Sequence, residues 1–219
     1  PGQRVAVVVA RAVGPDGAIN RYVEETQTLW LGGEQFPPER LDEIVDRLQQ
    51  FRPVLLRGYP TTLTLLGQHM IEQKIEPPDS LVAVGTSSEV LYPWQASVLR
   101  EAFRRPIANL YGQTEQVALA VGCRESTSLH VDTTYGVVEI LDAEGRPISE
   151  PGVVGELVAT GLVNVQTPLI RYAIGDRAAW DPPDCPCGLQ TPRLTMFEGR
   201  TVDRVVDRHG QVHLFNLRL

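Results

Sequence analysis

Short apolar runs alternate with helix-period segments through the first half of the chain. Strands are predicted over residues 5–10, 54–58, 81–85 and 106–110, and helices over residues 39–50, 63–73 and 94–103. In the first of these helices, apolar residues from Leu41 to Leu48 recur on one face, after a proline pair that suits a helix start. The short connections predict a mostly parallel sheet with helices packed on it.

The polar loops after these strands are the first place to look for a binding site. In parallel sheets, ligands bind beyond the carboxyl ends of the strands. We therefore expect the loops at 58–60, 86–89 and 111–115 to lie along one edge of the sheet.

After about residue 121 the pattern changes. Residues 135–141 alternate with period two, a turn is indicated at 142–145, and another strand is predicted at 155–160. The predicted fold class is therefore α/β, with a mostly parallel sheet flanked by helices and followed by a smaller antiparallel β subdomain. We place the α/β subdomain at residues 1–120 and the β subdomain at residues 121–197.

Composition and charge are those of an ordinary globular protein. The 219 residues are 42% hydrophobic and 21% charged, which is enough for one large domain or two small ones. The net charge of −7 argues against a nucleic-acid-binding protein, because phosphate contacts need clustered Lys and Arg.

Nothing in the sequence indicates a membrane or secreted protein. No apolar run approaches the roughly 20 residues that cross a bilayer. The first ten residues lack a basic leader and are interpreted as a buried strand. Three cysteines do not make a secreted disulfide framework. A cytoplasmic location is the default expectation.

The segment Tyr-Gly-Gln-Thr-Glu at 111–115 is the first candidate for chemistry. The ring of Tyr111 suits a purine, and Gly112 allows the backbone close to a ligand. The hydroxyl of Thr114 suits a phosphate, and the carboxylate of Glu115 suits Mg²⁺. The alternative, which the pentapeptide alone favours, is a turn in which Thr114 caps a following helix and Glu115 lies in its first turn.

A second candidate is Arg-Tyr-Ala-Ile-Gly-Asp at 171–176, which places Asp176 after a glycine at a predicted strand end. A carboxylate there suits two adjacent ribose hydroxyls, and the alternative is an aspartate in a β-turn. Arg200 has a fork of donors that suits ribose or phosphate, and it is otherwise a solvated arginine.

The cysteines give the sharpest pattern. Six residues separate Cys123 from His130, and Cys185 and Cys187 follow about sixty residues later, with a proline between them and a glycine after them. Three cysteines and one histidine match a closed tetrahedral structural zinc site. The alternatives are buried free thiols, a redox pair formed by Cys185 and Cys187, and a solvated His130.

Together these segments resemble the phenylacetate–CoA ligase family of adenylate-forming enzymes, including its capsule-biosynthesis-type members. The resemblance covers about residues 55–210. In chain order the matching segments are residues 111–115, Cys123, His130, and residues 155–162, 168–172, 175–176, 185–188 and 199–200.

By that resemblance, such enzymes transfer AMP from ATP to a carboxylic acid, release pyrophosphate, and then let coenzyme A or a carrier thiol displace AMP. It implies catalytic roles for Thr114 at the α-phosphate and for Glu115 on Mg²⁺. It implies an ATP or AMP pocket formed by Ser88, Glu89, Tyr111, Gly112, Asp176 and Arg200. It also implies a structural zinc site formed by Cys123, His130, Cys185 and Cys187.

The sequence also departs from the family. The Ser/Thr/Gly-rich phosphate loop and the lid domain with its adenylation lysine are absent, and Val202 replaces a hinge carboxylate. We therefore expect a central fragment, inactive alone, in which residues 198–219 are a hinge region that ends before the lid domain. The acid that is activated, the thiol acceptor and the oligomeric state, a homodimer included, stay open.

Two functional hypotheses follow. The leading one is part of an acyl-adenylate-forming acid–thiol ligase. The other is a non-catalytic, zinc-stabilised nucleotide-binding or scaffold module derived from that family. A third, weaker interpretation treats Cys185 and Cys187 as a redox centre.

Overall fold

Contacts divide the molecule into two units, Pro1–Asn109 and Leu110–Arg218. The computed structural model describes residues 3–14, 18–126, 128–197, 204–206 and 212–214. The division falls within the sixth strand, ahead of the domain boundary that we predict after residue 120.

The first unit alternates strands and helices. Its elements are β1 Val5–Val9, β2 Asn20–Val23, β3 Thr28–Gly32, α1 Pro38–Phe51, β4 Leu55–Gly58, α2 Pro60–Glu72, β5 Ala83–Ser87, α3 Pro93–Phe103 and β6 Ile107–Gly112, the last of which continues into the second unit. Strand β1 pairs in parallel with β3 and β4, and β4 pairs in parallel with β5, whereas β2 is antiparallel to β3. The predicted α/β sheet with flanking helices is confirmed.

Helix α1 shows why the helix predictions succeed. A proline occupies its first turn, and its apolar face is buried from Leu41 to Leu48. The helix ends where Arg52 adopts a left-handed conformation and donates its N–H to the carbonyl of Leu48. The buried face packs into a core that includes Val8 and Leu56 from the sheet. None of the helices in the described residues is long and apolar enough to cross a membrane.

Several boundaries in the first unit differ from prediction. Helix α2 begins at Pro60 rather than at residue 63. Strand β5 begins at Ala83, because the N–H of Leu81 is used in a preceding turn that closes on the carbonyl of Pro78. Strand β6 continues to Gly112, so Tyr111 and Gly112 lie in the strand and not in a turn after it. Strands β2 and β3 are not predicted from the sequence.

The second unit is antiparallel. Its strands are β7 Leu119–Gly122, β8 Leu129–Val131, β9 Gly136–Leu141, β10 Gly155–Gly161, β11 Tyr172–Trp180, β12 Arg193–Phe197, β13 Arg204–Val206 and β14 Val212–Leu214. The order of the main sheet in this unit is β7-β8-β12-β11-β10-β9, and the end of β6 pairs with β7. Strands β13 and β14 form a separate pair. The predicted antiparallel β region is confirmed.

The turn between β6 and β7 packs unusually closely on the sheet of the second unit. A Cβ atom at Gly136 in β9 would lie 2.0 Å from the carbonyl oxygen of Val117, and one at Gly161 in β10 would lie 3.0 Å from that of Gln116. Glycine at both positions therefore lets the turn rest directly on the backbone of two strands.

We predict that Gly136→Ala lowers the free energy of unfolding by about 1–3 kcal/mol, because the added methyl group overlaps a backbone oxygen that cannot move alone. Gly112→Ala is the matched control, since a Cβ atom there would meet no atom closer than 3.7 Å. Urea unfolding of both variants provides the measurement. Equal stability of the two variants would contradict this account of the packing.

Candidate functional site

The segment at 111–115 leads into a turn and not into a helix. Thr114 and Glu115 lie in the exposed turn, and the next regular element is β7. The side-chain oxygen of Gln113 accepts the N–H of Ala118 at 3.2 Å, and Gln116 has a positive φ of 58°. The alternative in which Thr114 caps a helix is therefore wrong, because a strand follows.

Asp176 lies within β11 and not at a strand end, as the sequence suggests. Between Ala173 and Arg177 the pairing with β10 shifts register, so that β11 carries extra residues there. Gly175 takes a left-handed φ of +85° at this bulge. Bulges re-aim side chains and are frequent beside functional sites. The bulge explains why a glycine precedes the candidate ribose-binding aspartate.

Two tyrosines hold the candidate carboxylates. The hydroxyl of Tyr111 donates to Oδ2 of Asp176 at 2.7 Å. The hydroxyl of Tyr172 donates to Oε1 of Glu115 at 3.2 Å. Both tyrosine rings pack against the same small apolar cluster, which consists of Val117, Ala118 and Ala159. Residues that are up to 65 positions apart in sequence are thereby brought to one place in the second unit.

There is free space beside the backbone of Gly112, next to these groups. The nearest atoms to a Cβ atom at Gly112 would be 3.7 Å away, which is ordinary van der Waals contact. Gly112 is itself exposed. Among the sequence-predicted residues, the structure therefore brings together Tyr111, Gly112 and Asp176, and Tyr172 holds Glu115.

Ser88 and Glu89, the predicted site residues of the first unit, lie in the loop after β5. Ser88 is exposed and has a positive φ of 72°. Glu89 accepts the backbone N–H of Thr61, in the first turn of α2, at 3.0 Å. A carboxylate in this position stabilises the helix start. The contact confirms that the loops at 58–60 and 86–89 lie at one edge. Roles for Ser88 and Glu89 in a nucleotide pocket stay predictions.

Arg200 lies outside the described residues, as do Gly199 and Val202. Its proposed contact with ribose or phosphate therefore stays a prediction.

The three cysteines and His130 converge. The ligand atoms of Cys123, His130, Cys185 and Cys187 all lie within 4.8 Å of one another. The sulfurs of Cys123 and Cys185 are 3.5 Å apart, and the sulfur of Cys187 is 3.3 Å from Nε2 of His130. In a tetrahedral zinc site with Zn–S bonds of about 2.3 Å, neighbouring sulfurs lie about 3.8 Å apart. The donor set and its spacing fit zinc.

Local backbone structure positions each donor. His130 is buried in β8, and the N–H of Cys123 donates to the carbonyl of Ser128 at 2.8 Å. Cys185 and Cys187 lie in the loop between β11 and β12. This loop tightens where the N–H of Gly188, at a φ of +83°, donates to the carbonyl of Cys185. The predicted proline–glycine knuckle is present in the structure.

A neighbouring side chain orients the histidine. Nδ1 of His130 lies 3.0 Å from the hydroxyl oxygen of Thr191. An N–H at Nδ1 that donates to this hydroxyl leaves Nε2 unprotonated and facing the sulfurs. Sequence analysis misses Thr191, because a threonine 61 positions away carries no pattern that links it to a histidine.

The local environment lowers the pKa of the Cys123 thiol. Partial burial is the largest influence on the pKa of Cys123 and raises it. Hydrogen bonds to its sulfur, beginning with the one from the Glu125 amide, outweigh that influence and lower the pKa of the thiol to about 6. Desolvation raises the pKa of Cys185. Cys123 thus has more thiolate character at neutral pH than Cys185.

Part of this chain is similar in sequence to known proteins. A family model described as AMP-binding enzyme matches residues 18–166. Protein CapK of Staphylococcus aureus is 26% identical over 156 residues, which are 71% of this chain and 33% of CapK. The chain therefore spans about a third of the length of that relative.

Solved structures show the same fold. A 2-hydroxyisobutyryl-CoA ligase in complex with an acyl-adenylate matches with a TM-score of 0.69 and 22% identity, over 97% of this chain and 47% of the ligase. A benzoate CoA ligase from Burkholderia xenovorans LB400 matches with a TM-score of 0.59 and 17% identity, over 93% of this chain and 43% of that ligase. The family match covers more than half of the chain, which therefore belongs to the AMP-binding enzyme family.

Proposed function

We propose that this chain carries the nucleotide-recognition part of a ligase that activates a carboxylic acid with ATP and transfers the acyl group to a thiol. The observation that carries the proposal is the hydrogen bond between Tyr111 and Asp176, which joins the two residues expected at adenine and ribose. Family membership supplies the reaction class. The converging Cys-His set is one of the features by which the sequence resembles the phenylacetate–CoA ligase branch, and it supports that branch.

Each side chain has a definite role in this proposal. The carboxylate of Asp176 accepts the Tyr111 hydroxyl and is the proposed acceptor of the ribose diol. The ring of Tyr111 faces adenine, and Gly112 leaves room for the nucleotide beside the strand. The exposed hydroxyl of Thr114 donates to the α-phosphate.

Glu115 is the proposed ligand of Mg²⁺. Its carboxylate is exposed and is oriented by the hydroxyl of Tyr172. One carboxylate together with substrate phosphates and waters is a usual set of ligands for Mg²⁺. The metal, when bound, would offset charge on the phosphates.

The proposed reaction has two displacement steps. A carboxylate oxygen of the acid attacks the α-phosphorus of ATP, a P–O bond forms, and pyrophosphate leaves with the electrons of the broken bond. A thiolate then attacks the acyl carbon, and AMP leaves. Thr114 acts in the first step by hydrogen-bonding the α-phosphate, where negative charge accumulates. Coenzyme A is the proposed thiol, and the acid is a small-molecule carboxylic acid.

Cys123, His130, Cys185 and Cys187 are proposed to hold a structural zinc ion. All four donors are protein side chains, which leaves no position for substrate. The ion would hold the segments that carry β7, β8 and β12 in register and so supply folding free energy.

Asp176→Ala is predicted to weaken AMP binding by about 1–3 kcal/mol, because charge-assisted hydrogen bonds are lost. Tyr111→Phe keeps the ring and removes only the hydroxyl that orients Asp176, so we expect a smaller loss. Glu150→Gln, an exposed carboxylate in a turn, serves as the control. Isothermal titration calorimetry with AMP gives the affinities. An Asp176→Ala variant with wild-type affinity would remove this residue from the pocket.

For the metal site we predict that Cys187→Ser releases zinc and lowers the free energy of unfolding by several kcal/mol, because a structural zinc ion contributes folding free energy directly. Glu125→Ala is the control, since it keeps the backbone N–H that bonds Cys123. Elemental analysis and thermal unfolding provide the measurements. Wild-type protein purified without chelators that contains no zinc would refute the site.

Catalysis is tested in the whole protein that contains this chain. We expect carboxylate-dependent ATP–pyrophosphate exchange across a panel of aryl and short-chain acids, and Thr114→Val is expected to reduce it by about 10²-fold. Nucleotide binding without exchange for any acid would instead support the non-catalytic module.

A further inference from the structure

Arg193 is a buried cation for which the described residues supply no carboxylate partner. It is the first residue of β12, and its side chain is 6% exposed. No carboxylate in the described part of the chain lies within ion-pair distance of its guanidinium, although six arginine–carboxylate ion pairs are formed there. Burial of an unpaired charge is costly.

The hydrogen bonds of Arg193 go only to neutral groups. Its guanidinium donates to the hydroxyl of Ser128 at 3.3 Å and to the carbonyls of Pro182 and Asp184. Its Nε is buried and has no partner among the described residues. These bonds satisfy polar hydrogens, but they do not balance the charge.

The position of Arg193 relates it directly to the four converging donors. Its Cα pairs across the strands with His130. Ser128, which it bonds, accepts the N–H of Cys123 through its carbonyl. Asp184, which it also bonds, immediately precedes Cys185. One side chain thus contacts or faces segments that carry Cys123, His130 and Cys185.

We propose that Arg193 is the counter-charge of the Cys–His metal site and a positioning residue for its donors. Three thiolates and a neutral imidazole around Zn²⁺ leave one net negative charge, and the adjacent guanidinium balances it. The inference rests on the zinc site proposed above and adds a residue on which zinc affinity depends.

This role has a consequence that a purely structural arginine lacks. With zinc bound, the guanidinium faces a negative centre, so removal of the guanidinium destabilises the protein. Zinc that binds the folded chain adds to its stability, so a variant that binds zinc more weakly loses more stability with zinc than without it. Replacement of an arginine that only ties loops together would lower stability equally in both states.

The test compares Arg193→Met, Arg193→Gln and Arg193→Lys in the 219-residue chain, with Arg177→Met as the control on the adjacent strand. Zinc affinity is measured by competition with a chromophoric chelator, and thermal unfolding is followed with and without zinc. We expect Arg193→Met to lose about 10–100-fold in zinc affinity, the size found for residues that support metal ligands. Its Tm should fall more in the zinc-loaded form than in the zinc-free form.

The charge-retaining variant separates charge from hydrogen bonding. Lysine keeps the positive charge but not the planar fork, whereas glutamine keeps hydrogen bonding without charge. We expect Arg193→Lys to bind zinc more tightly than Arg193→Gln, a comparison that stands even if the methionine variant does not fold. Equal affinities, or a tighter glutamine variant, would overturn the proposal.

The outcomes also separate this inference from the proposed zinc site. Wild-type protein that binds no zinc would overturn both. Wild-type protein that binds zinc, with an Arg193→Met variant of equal affinity or with the same fall in Tm in both states, would overturn the role of Arg193 alone.

Discussion

The close packing of the 113–118 turn on the backbone of β9 is the constraint on which the candidate nucleotide site depends. The oxygen of Val117 occupies space that any side chain at position 136 would need. With the turn in place, Val117 and Ala118 join Ala159 in the cluster that supports the rings of Tyr111 and Tyr172. Those tyrosines in turn hold the two carboxylates. The backbone contact between Val117 and Gly136 thus helps to set the positions of the carboxylates of Asp176 and Glu115.

The second unit builds its two sites in different ways. The polar site uses strand residues, with a bulge that re-aims Asp176 and a tyrosine packed on an apolar cluster. The Cys–His site joins His130 in β8 to cysteines in loops between strands, where hydrogen bonds to backbone carbonyls set the shape. A metal ion bound there would hold together segments that a hydrophobic core holds together elsewhere in the unit. A buried arginine that pairs across the strands with His130 is consistent with this arrangement.

Local patterns in the sequence predict much of this structure. Amphipathic spacing and proline positions predict the three helices. Period-two alternation predicts β9, and a further strand predicted at residues 155–160 corresponds to β10. The Cys and His spacing identifies all four converging donors before any coordinates are known. Strand β2 is missed because none of its four residues is buried and they carry no apolar alternation. The bulge at Gly175, and the facing of Arg193 and His130, depend on register between distant strands. No local pattern encodes that register.

The central claim is that adenine nucleotide binds beside the end of β6 and the bulge of β11. The most direct measurement is a titration of the zinc-loaded, ¹⁵N-labelled chain with AMP, followed by amide correlation spectra. Our account predicts shifts centred on the amides of Gly112, Thr114 and Gly175, with the distant turn at Gly145 unchanged. Spectra that do not change at millimolar AMP, or changes confined to residues before Leu110, would contradict it.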